Sequence, residues 1–255
     1  MKTNASLFNV SEKVALVTGG RRGLGLAMAL GLAGAGCRVA VAAASREHEE
    51  LSQAFRKTGA ELFYIQTDLC NRAQQMRLVP KVVKHFGRLD ILVNNAGIQH
   101  RQPALDFDLN QWDRIMQLML TAVFLLSRQA ARVMQKQGGG KIINIASMAS
   151  FQGGWNVPAY AAAKHGVVGL TKALANEWAG KNINVNAIAP GYFETDMCAA
   201  LRHDPVREPR IRERIPAGRW GKPEDLIGAL LFLASNASNY VHGQVVVVDG
   251  GWMGR

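Results

Sequence analysis

Acidic residues are scarce in this chain of 255 residues, in which 19 aspartates and glutamates accompany 30 lysines and arginines for a formal net charge of +11. Only 19% of the residues are charged and like charges form no long block, which excludes a disordered chain. The positive excess favours anionic partners. Since no zinc-ligand spacing or RNP-like aromatic box accompanies it, we expect neither a nucleic-acid partner nor a metal site.

Cysteine is rare as well, and long apolar runs are absent. Cys37, Cys70 and Cys198 are odd in number and far apart, which excludes a disulfide framework and a CxxC motif. The first residues have no apolar segment typical of a signal peptide, and no apolar run approaches the roughly 18 residues of a membrane span. These absences predict a cytoplasmic protein with no membrane partner.

Short apolar runs alternate with helical segments along the whole chain. The runs have apolar or β-branched residues at both odd and even positions, which is typical of strands buried on both faces of a parallel sheet. We therefore predict a single α/β domain over residues 1–255, a doubly wound, Rossmann-like parallel sheet of about seven strands with helices on both faces. The predicted strands are Val14–Thr18, Val39–Ala43, Leu62–Gln66, Leu89–Val93, Lys141–Ala146, Ile183–Ile188 and Val245–Val248. The predicted helices include Leu24–Ala35, Asn71–Phe86, Trp112–Gln135, Ala159–Ala179 and Pro223–Ala234.

One long segment, residues 192–216, has no clear strand character. Loops of this length in a compact domain are usually functional. The segment overlaps a local excess of arginine. We expect it to form a lid over a substrate site.

A glycine-rich turn, TGGRRGLG at residues 18–25, follows the first predicted strand and opens the first predicted helix. Glycine lets the backbone turn tightly and approach a pyrophosphate, while the following helix presents its N-terminal N–H groups to it. Its position after a strand and before a helix strengthens the prediction of a dinucleotide site. The spacing is TGxxxGxG rather than GxGxxG.

Tyr160 and Lys164 are four residues apart and share one face of a predicted helix. A free tyrosine ionises near pH ~10, and a nearby ammonium group lowers its pKa, which suits proton transfer to or from a carbonyl or carbinol oxygen. Ser147 follows the strand Lys141–Ala146, at the carboxyl end where doubly wound folds place ligands. These three residues form a candidate acid–base site.

In order and spacing, these motifs resemble the short-chain dehydrogenase/reductase family over essentially the whole chain. The residues that carry the resemblance are TGGRRGLG (18–25), Asp68, NNAG (94–97), Ser147, Tyr160 with Lys164, and Pro190 with Gly191. The stretches INIASM, FQGG, NEWAGKNINVNAIAPGY, RIPAGRWG and VDGGW are similar to those of its 2-dehydro-3-deoxy-D-gluconate 5-dehydrogenase subgroup, also described as 2-deoxy-D-gluconate 3-dehydrogenase.

The resemblance implies an NAD(P)-dependent oxidoreductase that moves hydride between nicotinamide and a secondary alcohol or ketone of a small polar substrate, such as a keto-deoxy-gluconate. In the family, Ser147 would orient the substrate carbonyl, Tyr160 would be the acid/base and Lys164 would also bind the nicotinamide ribose. A homotetramer is implied too. The cofactor-binding residues would be Gly19, Arg21, Arg22, Gly23, Leu24, Gly25, Asp68, Asn95, Ala96, Gly97, Tyr160, Lys164, Pro190, Gly191 and Thr195.

Met119 departs from the family pattern, which usually has a fourth catalytic residue, an asparagine, at this position. In the family that asparagine supports a chain of water from the lysine to solvent, and methionine has no comparable polar group. The departure leaves open a catalytically weakened nicotinamide-binding protein. A 3-oxoacyl-thioester reductase on the same scaffold is a further alternative.

The choice between the two nicotinamide cofactors depends on the end of the second strand. NAD-preferring members have an acidic residue there, which binds the ribose hydroxyls, whereas this chain has Ala43. Arg21, Arg22, Ser45 and Arg46 lie nearby and could bind a 2′-phosphate. These residues favour NADP(H), while the subgroup resemblance favours NAD(H).

Four residues are candidates for substrate contact. Arg101 and Arg214 could pair with the carboxylate of a sugar acid, and Trp155 could stack on a sugar face. Gln152 belongs to the stretch FQGG that follows Ser147. Each of these could instead be an ordinary surface residue.

Overall fold

The computed structural model describes residues 4–47 and 49–255. Its strands form a parallel sheet of seven strands in the order β3-β2-β1-β4-β5-β6-β7. The chain winds outward on both sides of β1, so the carboxyl ends of β1 and β4 open a crevice in which such folds bind ligands. The strands are β1 (Val14–Thr18), β2 (Arg38–Ala43), β3 (Leu62–Gln66), β4 (Ile91–Asn94), β5 (Gly140–Ile145), β6 (Ile183–Pro190) and β7 (Val245–Val248).

Helices cover both faces of the sheet. They are α1 (Asn4–Leu7), α2 (Gly23–Gly34), α3 (Glu49–Thr58), α4 (Arg72–Phe86), α5 (Leu109–Met116), α6 (Ala122–Lys136), α7 (Pro158–Trp178), α8 (Ala199–Arg202), α9 (Arg207–Arg214) and α10 (Ile227–Ala234). Within the described ranges, none of them is both long enough and apolar enough to cross a membrane.

Alternate residues along each strand point to opposite faces of the sheet and pack against different helices. Val14 and Leu16 of β1 join the core formed with α4, α6 and α7. Ala15 and Val17 join the opposite core with α2, α3 and α10. Both sets are fully buried, because parallel strands between two helical layers have no solvent-exposed face. The predicted doubly wound fold is therefore confirmed.

The main differences from the predicted elements concern helices. The predicted helix Trp112–Gln135 begins earlier, at Leu109, and a π turn at Gln117–Thr121 divides it into α5 and α6. Helix α3 was not among the predicted helices: it has ten residues, and its buried residues are Leu51 and Phe55. Residues 192–216 contain α8 and α9 rather than an irregular loop.

A buried lysine lies at the start of β5. The Lys141 ammonium group donates hydrogen bonds to Asn184 Oδ1 at 3.0 Å, to Asn239 Oδ1 at 2.8 Å and to Ser238 Oγ at 3.5 Å. These three acceptors are neutral. Burial, with a smaller contribution from the charge of Lys13, lowers the pKa of Lys141 to about 8.

Replacing Lys141 with methionine is expected to remove part of the pH dependence of stability. Because the pKa is about 8 in the folded state and near 10.5 in the unfolded chain, the unfolded chain binds more protons between these values. The free energy of unfolding of the wild type should therefore rise with pH across this window, by up to about 3 kcal/mol. Urea denaturation of both proteins across the window measures the difference. Since Lys164 is retained in both, parallel pH profiles would contradict the assignment.

Candidate active site

Glycines shape the turn between β1 and α2 at the carboxyl end of the sheet. Gly19 has φ of +66° and Gly23 has φ of +56°, a backbone region that glycine enters at little cost. A Cβ on Gly19 would lie 2.8 Å from the Ala96 Cα, and a Cβ on Gly25 would overlap the Gly19 carbonyl oxygen. The glycines thus let the turn pack tightly against the NNAG turn at the start of α2, and a helix N-terminus fits a pyrophosphate.

The NNAG turn is tied to the end of β1. Thr18 Oγ1 accepts hydrogen bonds from the backbone N–H groups of Asn95 at 2.9 Å and Ala96 at 3.1 Å. The Asn95 side-chain amide donates to the carbonyl oxygens of Thr18 at 2.9 Å and Gly19 at 3.3 Å. The amide predicted to lie beside a cofactor is therefore used to hold the glycine turn. Thr18, which the sequence analysis did not single out, organises both turns.

The catalytic candidates come together beyond the end of β5. Ser147 precedes a short 3-10 turn, Met148–Ser150, and Tyr160 lies in the first turn of α7. The Ser147 hydroxyl lies close enough to the Tyr160 phenol to lower its pKa. The Lys164 ammonium group lies 5.8 Å from the centre of the Tyr160 ring and donates to the Ile145 carbonyl oxygen. The arrangement brings a hydroxyl, a phenol and an ammonium group to one point.

The electrostatics of this group differ from the expectation based on Lys164 alone. Burial raises the pKa of Tyr160, while the Ser147 hydrogen bond and the charge of Arg101 oppose that shift. Burial also lowers the pKa of Lys164 to about 8. Lys164 faces the Ile145 carbonyl, so Ser147 and Arg101, rather than Lys164, lower the pKa of the phenol in this structure.

Ser150 supports the site, and the sequence analysis missed it. Its hydroxyl accepts the Ser147 N–H at 3.2 Å and donates to the Lys164 carbonyl oxygen at 2.8 Å. Ser147 Oγ accepts the Ala149 N–H at 3.1 Å. Serines three residues apart at the start of a turn are the sequence signal that was available. Ser150 joins the backbone of Ser147 to α7 and so fixes the spacing of the catalytic candidates.

Met119 lies beside these groups in the π turn between α5 and α6. It is only 1% exposed and packs with Ala159 and Ala163 of α7, with Tyr160 against the same cluster. A Cβ on Gly97 would lie 3.2 Å from Met119 Cε. The methionine therefore fills the space between the NNAG turn and α7 with apolar atoms.

The region predicted to hold the adenosine end carries several arginines. Arg21 Nε donates to the Arg46 carbonyl oxygen at 3.0 Å, and Arg22 forms an exposed ion pair of 3.3 Å with Asp196. Asp68 is exposed after β3, and its carboxylate accepts the Cys70 N–H at 2.8 Å. These side chains border the carboxyl ends of β1, β2 and β3.

The segment after β6 closes the other side of the crevice. Pro190 ends β6, and the Gly191 N–H donates to the Val248 carbonyl oxygen at 2.9 Å. A Cβ on Gly191 would lie 2.6 Å from the Asp249 Cα. The Thr195 side chain approaches the glycine turn, since a Cβ on Gly23 would lie 3.7 Å from it. Residues 18–25 and 190–195 thus face each other across the crevice.

Among the substrate candidates, Arg101 is the one whose charge reaches the catalytic group. Burial raises the pKa values of Tyr160, Tyr192 and Cys198, and the charge of the exposed Arg101 side chain opposes all three shifts. A cation that acts on three groups around one crevice fits an anionic substrate.

Two other substrate candidates contact Trp252, and their role in substrate binding stays a prediction. The Arg214 guanidinium stacks 4.0 Å from the centre of the Trp252 ring, and Gln152 Oε1 accepts the Trp252 indole N–H at 3.2 Å. Trp155 is 88% exposed and lines a shallow cleft with Pro103–Leu105. Since these contacts form between segments distant in sequence, no local pattern disclosed them.

A family model described as enoyl-(acyl carrier protein) reductase matches residues 19–253. A 2-dehydro-3-deoxy-D-gluconate 5-dehydrogenase from Dickeya dadantii is 51% identical over 249 residues, which cover 97% of this chain and 98% of that protein. The chain belongs to the short-chain dehydrogenase/reductase family. It is therefore an oxidoreductase of a family that uses NAD(P), as the motifs predicted.

Two further relatives place this short-chain dehydrogenase/reductase within its family. A 2-dehydro-3-deoxy-D-gluconate 5-dehydrogenase from Escherichia coli is 50% identical over 251 residues, which cover 98% of this chain and 99% of that protein. A solved gluconate 5-dehydrogenase from Burkholderia cenocepacia, in complex with NADP and tartrate, is 38% identical with a TM-score of 0.93 and covers 99% of this chain and 100% of that chain.

Proposed function

We propose that this enzyme transfers hydride between NADP(H) and a secondary alcohol or ketone of a sugar acid of the gluconate class. The observation that carries the chemistry is the grouping of the Ser147 hydroxyl, the Tyr160 phenol and the Lys164 ammonium group at the end of β5. The substrate class is supported by the names of the Dickeya dadantii and Escherichia coli relatives, and by a 5-keto-D-gluconate 5-reductase from Escherichia coli that is 38% identical. The relatives thus favour a sugar acid over an acyl thioester.

The crevice fits a nicotinamide dinucleotide. Gly19 and Gly25 let the turn pack against Asn95 and Ala96, since added Cβ atoms would collide there. The turn opens α2, and the N-terminal N–H groups of a helix suit a pyrophosphate. The residues after β2 include no carboxylate from Ala43 to Ser45, and Arg21 and Arg46 lie beside them. This composition supports NADP(H), and the Burkholderia cenocepacia structure holds NADP. When bound, the cofactor supplies hydride to the substrate carbon or accepts it.

The side chains of this protein move the matching proton. In ketone reduction, the Tyr160 hydroxyl gives its proton to the substrate oxygen as the carbon gains hydride, and a phenolate remains. Ser147 donates a hydrogen bond that orients the same oxygen. The charge of Arg101 lowers the pKa of the phenol and so stabilises the phenolate. Lys164 lies 5.8 Å from the centre of the Tyr160 ring, and its pKa of about 8 keeps it mainly charged at neutral pH. Alcohol oxidation runs through the same steps in reverse.

Residues 192–216 would act as a lid over this site. Their buried side chains Leu201, Ile211 and Ile215 pack with Trp220 and Trp252, whereas Phe193 at the start of the segment joins the main core with α2 and α10. The ion pair between Arg22 and Asp196 links the segment to the glycine turn. A separately packed segment beside a crevice is suited to closing over a small ligand.

The proposed function is tested by following absorbance of reduced nicotinamide with a panel of sugar acids and acetoacetyl thioesters, using NADP(H) and NAD(H) in parallel. We expect turnover with a keto-deoxy-gluconate or a ketogluconate and a preference for NADP(H). Turnover restricted to thioesters would show a ketoreductase instead. Tight NADP(H) binding with no turnover of any substrate would show a weakened nicotinamide-binding protein.

Replacing Arg101 with glutamine is expected to raise the KM for the sugar acid by about tenfold or more. A charge-assisted hydrogen bond to a carboxylate contributes roughly 1.5–3 kcal/mol, and the variant cannot form it. The KM for the uncharged lactone or sugar alcohol should change little. Arg210→Gln, which removes an exposed arginine from α9, is the control. Equal KM values for wild type and Arg101→Gln would refute this role.

We further propose that the enzyme is a homotetramer. β7 is an edge strand of the sheet and Val247 is 39% exposed, which supports one interface at the carboxyl terminus. The outer surfaces of the α5–α6 region and of α7 would form the other. Light scattering at micromolar concentration should give four times the chain mass of 27.7 kDa. A species of the mass of one chain would contradict the proposal.

A further inference from the structure

The last turn of the chain, residues 249–255, is held rigidly beside the active site. The Asp249 carboxylate accepts the N–H groups of Gly251 and Met253, each at 2.8 Å. Gly250 and Gly251 have φ values of +66° and +91°. A Cβ on Gly250 would lie 2.7 Å from Ile215 Cγ2, so the turn packs closely against the end of the lid, residues 192–216.

This turn places Trp252 between three segments that carry the site. The indole is 6% exposed, and its N–H donates to Gln152 Oε1 in the turn that follows Ser147. The centre of its ring lies 4.8 Å from the centre of the Tyr192 ring, where the lid begins. It lies 4.0 Å from the Arg214 guanidinium carbon, near the end of the lid. One side chain thus connects both ends of the lid to the serine turn.

The surrounding cluster extends the connection to the reacting groups. Met148, which directly follows Ser147, and Cys198 of the lid both pack against the cluster that contains Trp252. The Cys198 side chain is close enough to Tyr160 to influence its pKa. Because packed interiors transmit displacement rather than absorb it, a shift of the indole would move groups on both sides of Tyr160.

We propose that Trp252 is a positioning residue, which fixes the lid relative to the serine turn and so holds the substrate carbonyl against Ser147 and Tyr160. The role rests on the proposed function, since it concerns the substrate of that site. It acts through geometry alone: a small misplacement of a bound substrate costs much of the advantage of a preorganised site.

Trp252→Phe tests this role, because it keeps an aromatic ring and removes only the indole N–H and part of the ring. We expect the KM for the sugar acid to rise about three- to tenfold, with a smaller fall in kcat. The Kd for NADPH and the assembly size should stay unchanged. Trp220→Phe is the matched control, because Trp220 belongs to the same cluster. Its indole N–H donates to Glu208 Oε1 at 3.2 Å, so the variant loses that hydrogen bond but none to the serine turn.

Gln152→Leu removes the same hydrogen bond from the other side. In the double variant with Trp252→Phe, we expect the KM to rise no further than in the more affected single variant. The two substitutions remove the same hydrogen bond, so their effects do not add. Additive effects, unchanged KM values, or an equal KM rise in Trp220→Phe would overturn the positioning role.

Trypsin cleavage after the lid arginines reports the same coupling without substrate. Gln152 lies outside the lid, yet Gln152→Leu is expected to speed cleavage as much as Trp252→Phe does. Unchanged cleavage in Gln152→Leu would overturn the inference. Absence of sugar-acid turnover in the wild type would instead refute the proposed function and leave the cleavage result to decide the role of Trp252.

Discussion

Replacing Tyr160 with phenylalanine is expected to reduce turnover by about 10²- to 10⁴-fold, the usual contribution of a positioned acid or base. The change removes one hydroxyl and retains the ring that packs against the cluster of Met119 and Ala159. The Ser147 hydroxyl keeps its bond from the Ala149 N–H, and the glycine turn after β1 is untouched. Steady-state kinetics, with NADPH binding followed by fluorescence, should therefore show lost turnover with nearly unchanged cofactor affinity.

The control for this variant is Tyr240→Phe, a change at a fully exposed tyrosine remote from the strand ends that carry the site. It should retain full activity. If Tyr160→Phe also retains full activity, Tyr160 is not the acid/base. If instead NADPH affinity falls together with turnover, the loss reflects a damaged cofactor site rather than a missing proton donor.

Replacing Met119 with asparagine is expected to make each folded molecule faster and the fold less stable. After each ketone reduction, the Tyr160 phenolate must regain a proton, and an amide at 119 would hold water near Lys164. The rate should rise most at a pH where proton transfer is slow. Against this, burial of methionine contributes roughly 1.5–3 kcal/mol, and an unpaired amide costs about 1–3 kcal/mol more. Met119 is 1% exposed, so both costs apply.

The measurement compares turnover per folded molecule across a pH series, with urea denaturation to determine the folded fraction. Met119→Leu is the matched control, because it keeps an apolar side chain of similar volume and introduces no amide. It should resemble the wild type in both rate and stability. If Met119→Asn is no faster at any pH, Tyr160 is reprotonated by another route and the methionine is only a packing residue.

The strand pattern was largely predictable because it depends on local composition. Apolar runs of four to six residues identified all seven strands: three have the predicted bounds, and four have ends shifted by one or two residues. A strand between two helical layers has apolar residues at both its odd and its even positions, so it can be recognised from a short stretch of sequence. The π turn at Gln117–Thr121 has no such signal, since it adds one residue to a helix whose apolar surface continues across it.

The candidate acid–base residues of the site could also be predicted from the sequence. Ser147, Tyr160 and Lys164 lie together because a strand end and a helix face bring them there, and their spacing already implied this. The pKa shift of Tyr160 could not be predicted from the sequence. Burial raises the pKa of Tyr160, and the opposing charge of Arg101 comes from a loop about sixty residues earlier in the chain.

The sequence by itself determined the parallel sheet, the glycine turn and the catalytic residue types, because each follows from short-range pattern and residue chemistry. Only the tertiary structure decided which polar side chains are available to a ligand. Asn95, Gln152 and Arg214 were all predicted to contact a ligand. In the fold the Asn95 amide donates to the Thr18 carbonyl oxygen, while Gln152 and Arg214 both contact Trp252. Those partners lie tens of residues away in the chain, and only folding brings a donor and its acceptor within hydrogen-bonding distance.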